Sequence, residues 1–270
     1  MIVPAVPLAA SPDASWSFDP GAIVLLLGLT AAYVARWRRV RAPVGRLFAF
    51  LGGILVAAIA LISPVDRLAE QLFLMHMVQH VLLLDLAPIL CILGLTKVIL
   101  RPVTRRLMRL EEAAGPFGHP GFAIAAYVGA MWAWHIPAAY DLALEHPVVH
   151  VLEHVCFASA GALYWWHLFA PIRSRHRLGG MGPVVYMAAT KILVGALGVA
   201  LAFSPAAIYA FYEHQPRYWG LSAGTDQAVG GLIMATEQSI IMGIALVTLF
   251  VRALAESERE EQRRERFGAV

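Results

Sequence analysis

The chain has 270 residues, 59% of them hydrophobic and only 14% charged, with a net charge of +3 and a pI near 9.0. A soluble domain carries about 25% charged residues, and here runs of about 20 apolar residues follow one another with short polar breaks. That excludes a soluble domain, and it excludes a membrane β-barrel, whose strands would be about 10 residues long with alternating polarity. The expected class is all-α: a polytopic membrane protein, a bundle of seven transmembrane helices. The basic pI points to no nucleic acid in such a protein; the lipid bilayer is the expected surrounding. Cys91 and Cys156 sit singly inside apolar runs, so neither a disulfide framework nor a cysteine-pair redox site is expected.

Residues 1–20 lack a basic start and are broken by Pro4, Pro7 and Pro12, so they read as an extracytoplasmic tail rather than a signal peptide. The transmembrane domain runs over 21–254 and a charged tail over 255–270. The first span is 21–35, continued to 41 at the interface, and the second is 46–62. The third, 70–95, is long, with a kink expected at Pro88. The fourth is 121–140. The fifth, 148–169, opens after Pro147, a residue suited to a first helical turn. The sixth, 182–203, stops at Ser204-Pro205. The seventh, 226–254, has Asp226 as its expected N-cap.

Lysine and arginine fall almost all on one side of this arrangement. That side holds the arginines of 36–46, Lys97 and the arginines of 101–109, Arg173, Arg175, Arg177, and those of 252–266. The other side has only Arg67 and Arg217, and Lys191 lies within a span. The positive-inside rule then places the C-terminus in the cytoplasm and the N-terminus outside.

The chemistry concentrates in Leu74-Met75-His76-Met77-Val78-Gln79-His80, inside the third span. His76 and His80 are four apart and share one helical face. His150 and His154 repeat the spacing in the fifth span. At 1.5 Å per residue His76 and His80 lie roughly 9–15 Å into the membrane, and His150 and His154 roughly 4–10 Å, both from the outer side. His135 ends the fourth span on that side, and Asp226 opens the seventh. Polar groups at such depth are costly and usually functional, although a single histidine in a span is most often an interhelical hydrogen bonder. Two such pairs at one level favour a metal site. The expected ligands are His76, His80, His150, His154 and His135, with Met234 or Asp226 completing or guarding the ion. Imidazole with thioether suits copper, above all Cu(I), and zinc would accept the nitrogens alone. Glu153 is placed to orient an imidazole from behind. Deeper, Lys191 is expected to pair with Glu237, or failing that with Asp85, as a structural ion pair or a charge relay.

In order along residues 70–240, these segments resemble a known family. They are His76-Met77-Val78-Gln79-His80 with Ala87-Pro88, Trp134-His135-Ile136-Pro137 with Tyr140-Asp141, and His150-x-x-Glu153-His154 with Tyr164-Trp165-Trp166. Phe203-Ser204-Pro205 and Asp226-Gln227-x-x-Gly230-Gly231-x-x-Met234 complete the set. The chain is similar to the seven-span cytochrome c oxidase assembly factors of the CtaG type. The resemblance implies a non-enzymatic protein of the bacterial cytoplasmic membrane that helps mature haem–copper oxidases, with oxidase subunits as partners and copper as cargo. The alternatives at this stage are a haem-binding or electron-transfer protein with histidines as axial ligands, and a copper or proton transporter.

Overall fold

The computed structural model describes residues 10–172, 176 and 178–268. Residues 1–9 of the expected tail, and Arg173, Arg175 and Arg177, lie outside these. The described residues form helices and no strand. The helices are α1 (Pro20–Val40), α2 (Val44–Ile62), α3 (Pro64–Ala69), α4 (Phe73–Val81), α5 (Ala87–Gly94), α6 (Lys97–Leu100), α7 (Thr104–Ala114), α8 (Pro120–Trp134), α9 (Pro137–Glu145), α10 (Pro147–Phe169), α11 (Gly182–Ala202), α12 (Ala210–Glu213) and α13 (Ala223–Gly268). Among the described residues six stretches are long and apolar enough to cross a membrane: α1, α2, Phe73–Gly94, α10, α11 and α13. The bent pair α8–α9 makes a seventh if counted as one span.

Local signals explain most of the boundaries. Proline stands in the first turn of α1, α3, α8, α9 and α10, where its missing N–H leaves nothing unsatisfied. Asp19 caps α1 through the Ala22 N–H, and Ser63 caps α3 through Val65.

The structure departs from the expected elements in three places. The third span does not simply kink at Pro88. Leu82–Leu86 form a π-helical turn between α4 and α5, with the Ala87 N–H reaching the Leu82 carbonyl. Pro88 has no N–H to offer this part of the ladder, and a π-turn accommodates the loss by admitting one extra residue. The fourth span bends by 75° between Trp134 and Pro137, because Pro137 forces Ile136 into an extended conformation. The seventh helix begins at Ala223, and Ser222 Oγ accepts from the Thr225 N–H. Asp226 is therefore not its N-cap. It lies one turn inside α13 and caps a different helix: Oδ2 accepts from Phe73 N at 2.7 Å and Oδ1 from Leu74 N at 2.9 Å. α4 starts at Leu72 without a cap of its own, and a distant carboxylate supplies it. Asp226→Ala should therefore destabilise the protein by about 1–3 kcal/mol, the cost of leaving buried donors unmade. Thermal unfolding in detergent against the parent measures it, and an unchanged midpoint would refute the capping role.

Close approaches between helices fix the bundle. α11 meets α13 at Gly198 and Gly231, where an added Cβ on Gly231 would lie 2.6 Å from the Gly198 carbonyl. Gly195, also on α11, faces open space. The tightest crossing is between α10 and the π-turn: a Cβ on Gly161 would lie 1.8 Å from the Leu84 carbonyl oxygen. Only glycine lets the two backbones come this close. Tyr127, Tyr164, Trp165 and Phe157 fill the core around it, all fully buried.

Candidate metal centre

The Gly161 crossing sets what lies above it. His80 stands one turn before Leu84, and Glu153 two turns before Gly161 on the same stripe of α10. The approach of the two helices drives Glu153 between the histidines of α4. Glu153 Oε1 lies 3.4 Å from His80 Nε2, and Oε2 lies 3.7 Å from His76 Nε2. The two imidazole nitrogens are 2.7 Å apart. His76 and Glu153 are 0% exposed and His80 2%. These three donors converge within 4.8 Å of one another, the one such group among the described residues.

Hydrogen bonds decide which nitrogens face inward. Tyr212 gives its hydroxyl proton to the Ala69 carbonyl at 2.7 Å. Its oxygen, 3.3 Å from His76 Nδ1, is then an acceptor, and His76 Nδ1–H is the donor. A neutral His76 consequently aims the Nε2 lone pair at His80 and Glu153. His135 is fixed the same way, its Nδ1–H donating to the Met131 carbonyl at 2.6 Å. Its Nε2 faces Met77 Sδ at 3.3 Å, so two groups with lone pairs point at each other. Bonds of this kind behind a ligand hold its tautomer and orientation.

The second pair of histidines stands beside this cluster. The His150 ring centroid lies 5.4 Å from that of His76, and the His154 centroid 6.4 Å from that of His80. The His135 ring stands 5.9 Å from that of His80. All five predicted histidines are thus in one place. Tyr140 and Phe157 pack against the rings of His76 and His80. Gln79, on the same turn, donates to the Ala60 carbonyl and to Asp66. Burial pushes the Asp66 carboxyl above its usual range, against the pull of hydrogen bonds from Ser17 and Gln79.

Two predicted residues do not join the cluster. Met234 is buried in the apolar core, and its sulfur meets no imidazole among the described residues. The thioether that does is Met77, which the sequence shows only as a neighbour of His76. Asp226 has both oxygens engaged at the start of α4. Glu153, read from sequence as a supporting residue, stands instead among the donors. Its signal was its spacing: it is three residues from His150, one turn on the same side of the helix, and it is a charge in an apolar run.

The deeper polar group also differs from expectation. Lys191 does not pair with Glu237. It is exposed on α11 and donates to Ser239 Oγ at 2.7 Å. Glu237 reaches Asp85, which is held by Tyr127 Oη at 2.8 Å and Trp165 Nε1 at 2.7 Å. The group is a pair of carboxyls with aromatic donors, one turn below the histidines.

The donor set fits a metal ion on two grounds. Buried polar groups are normally partnered, yet His80 Nδ1, His150 Nε2, His154 Nε2 and both Glu153 oxygens are buried without a hydrogen-bond partner. Donors around a tetrahedral ion with metal–nitrogen bonds near 2.0–2.1 Å stand about 3.4 Å apart, close to the 3.4 and 3.7 Å separations from Glu153. The 2.7 Å between His76 and His80 would open by a few tenths of an ångström. Tyr212→Phe, which removes the acceptor behind His76 while keeping the ring, should weaken metal binding by about 10–100-fold. Competition with a chelator measures it, and unchanged affinity would show that His76 needs no such support.

Similar proteins can now be placed beside this geometry. The chain is 27% identical to uncharacterized protein ML1998 of Mycobacterium leprae over 93% of its own length and 41% of that protein. It is likewise 27% identical to uncharacterized protein Mb0105 of Mycobacterium bovis, with the same coverage. The chain thus spans well under half the length of these relatives. No solved structure matches it. The family model of the cytochrome c oxidase caa3 assembly factors matches residues 29–256, from the first membrane helix to the last and across every residue of the histidine cluster. The chain belongs to the family of cytochrome c oxidase caa3 assembly factors.

Proposed function

We propose that the protein binds one copper ion at the His76–His80–Glu153 site and passes it to an oxidase subunit during assembly. The observation that carries this reading is the inward-facing pair of Nε2 atoms with a buried, unpartnered carboxylate. Met77 beside His135 adds a thioether, the ligand that distinguishes a site for Cu(I) from one for zinc. Glu153 would offset the ion's charge inside the membrane, where an uncompensated charge is costly. His150 and His154, beside the cluster, would receive or release the ion. The role is that of a carrier and not a catalyst: copper is the cargo. The Tyr140 and Phe157 rings against His76 and His80 occupy space that a haem would need, which favours copper over the haem alternative.

The charge asymmetry supports an N-terminus outside, a cytoplasmic C-terminus, and a site in the outer half of a bacterial cytoplasmic membrane. A C-terminal reporter active only outside the cytoplasm should be silent. Protein purified after growth in copper should hold about one copper per chain. Cells lacking the protein should lose oxidase activity, partly recovered with excess copper. A purified protein that binds zinc but no copper, or a host whose oxidase is unaffected, would overturn the reading.

A further inference from the structure

Between the third and fourth spans α6 buries Ile99 and Leu100 against the bundle, but the helix that follows it does not enter. α7 has no buried residue. It carries Arg105, Arg106 and Arg109 together with Met108 and Leu110, which are 48% and 65% exposed. A short helix with this mixture rests in the interface between headgroups and acyl chains.

Where α6 runs into α7, an open cleft of about 490 Å³ is lined by Lys97, Arg101, Thr104, Arg105, Met108 and Ile172. The three cations stand four residues apart in sequence and face the same cleft. Ile172, from the segment after α10, adds an apolar side chain to the lining. The lining holds no carboxylate, and none pairs with Lys97, Arg101 or Arg105 among the described residues. The Thr104 hydroxyl donates to the Leu100 carbonyl, which leaves its oxygen able to accept. Three cations held together without a counter-charge repel one another, and an anion relieves that cost.

We infer that this cleft binds the phosphodiester headgroup of an anionic phospholipid. Lys97, Arg101 and Arg105 hold the phosphate, and an acyl chain lies along Met108 and Ile172. Charge complementarity selects an anion. The apolar wall beside the charges, at the end of the membrane helices, selects a lipid over a free phosphate. Basic pockets beside membrane helices take acidic headgroups in this way. The site is separate from the histidine cluster and does not depend on the copper reading.

The test uses the full chain in detergent at about 0.15 M salt, where charges beyond roughly 8 Å are screened. Phosphatidylglycerol, phosphatidylcholine and inorganic phosphate are the probes, and retained lipid is read by native mass spectrometry. The parent should prefer phosphatidylglycerol to phosphatidylcholine. Replacing Lys97, Arg101 and Arg105 by Gln together should weaken that preference by up to about a hundredfold. These are exposed side chains, so the variant should fold. The control replaces Arg259, Arg263 and Arg266 by Gln, the same loss of charge on the exposed end of α13, and should bind as the parent does. Met108→Glu should weaken lipid retention through the acyl chain. Equal retention by the cleft variant would overturn the proposal, as would an equal loss in the α13 control, which would make the effect one of bulk charge. Displacement of the lipid by equimolar phosphate, with Met108→Glu silent, would make this a free-phosphate site and end the lipid assignment.

Discussion

His80→Ala is expected to take bound copper from about one ion per chain to none. His80 Nε2 makes the closest approaches to both other donors, 2.7 Å from His76 Nε2 and 3.4 Å from Glu153 Oε1, so its removal leaves two donors 3.7 Å apart. It also takes the neighbouring imidazole away from the buried Glu153 carboxylate, and an uncompensated buried charge costs about 3–5 kcal/mol. His80→Ala should therefore be less stable as well as metal-free. The double change with Glu153→Gln separates the two effects: stability should return while copper does not. His167→Ala is the control. It lies at the far end of α10, thirteen residues beyond His154 and so roughly 20 Å away, and should keep its copper. Metal analysis after gel filtration reads the stoichiometry. Copper retained by both His80→Ala and the double variant at the parent level would mean that the cluster is packing and not a metal centre.

Gly161→Ala is the second large effect, and it acts through the backbone. The new Cβ would lie 1.8 Å from the Leu84 carbonyl oxygen and 3.1 Å from Leu84 Cα, and no side-chain rotation relieves a contact with backbone. α10 must move off the π-turn, at about 1–3 kcal/mol for an overpacked core or somewhat more. The same shift withdraws Glu153 from His80, because both stand on the turns just beyond this crossing. Thermal stability and copper retention should fall together. Gly129→Ala on α8 meets nothing within 4 Å and should be neutral or slightly stabilising, since alanine is the better helix former by about 1 kcal/mol. A Gly161→Ala protein with the parent's unfolding midpoint and copper content would show that this crossing does not position the site.

The long apolar helices and the spacing of the imidazoles along them were legible in the sequence. Hydropathy is carried residue by residue, so runs of about 20 apolar residues mark spans without knowledge of their neighbours. The four-residue spacing of His76 and His80, and of His150 and His154, is a property of one helix and is equally legible. Which faces meet depends on how the helices pack. The Leu82–Leu86 π-turn admits an extra residue, so the stripe of α4 does not continue into α5, and no α-helical period shows it. The depth to which Glu153 enters depends on the backbone approach that Gly161 permits at Leu84, a relation between residues 77 positions apart. Asp226 looked like a ligand or a cap for its own helix, yet it closes the start of α4, because the ends of α4 and α13 come side by side. The thioether that stands beside an imidazole is that of Met77 and not of Met234, 3.3 Å from His135 Nε2 at the 75° bend that follows Trp134. Residue type and period act along one chain, whereas helix rotation and crossing are fixed by packing between chain-distant surfaces.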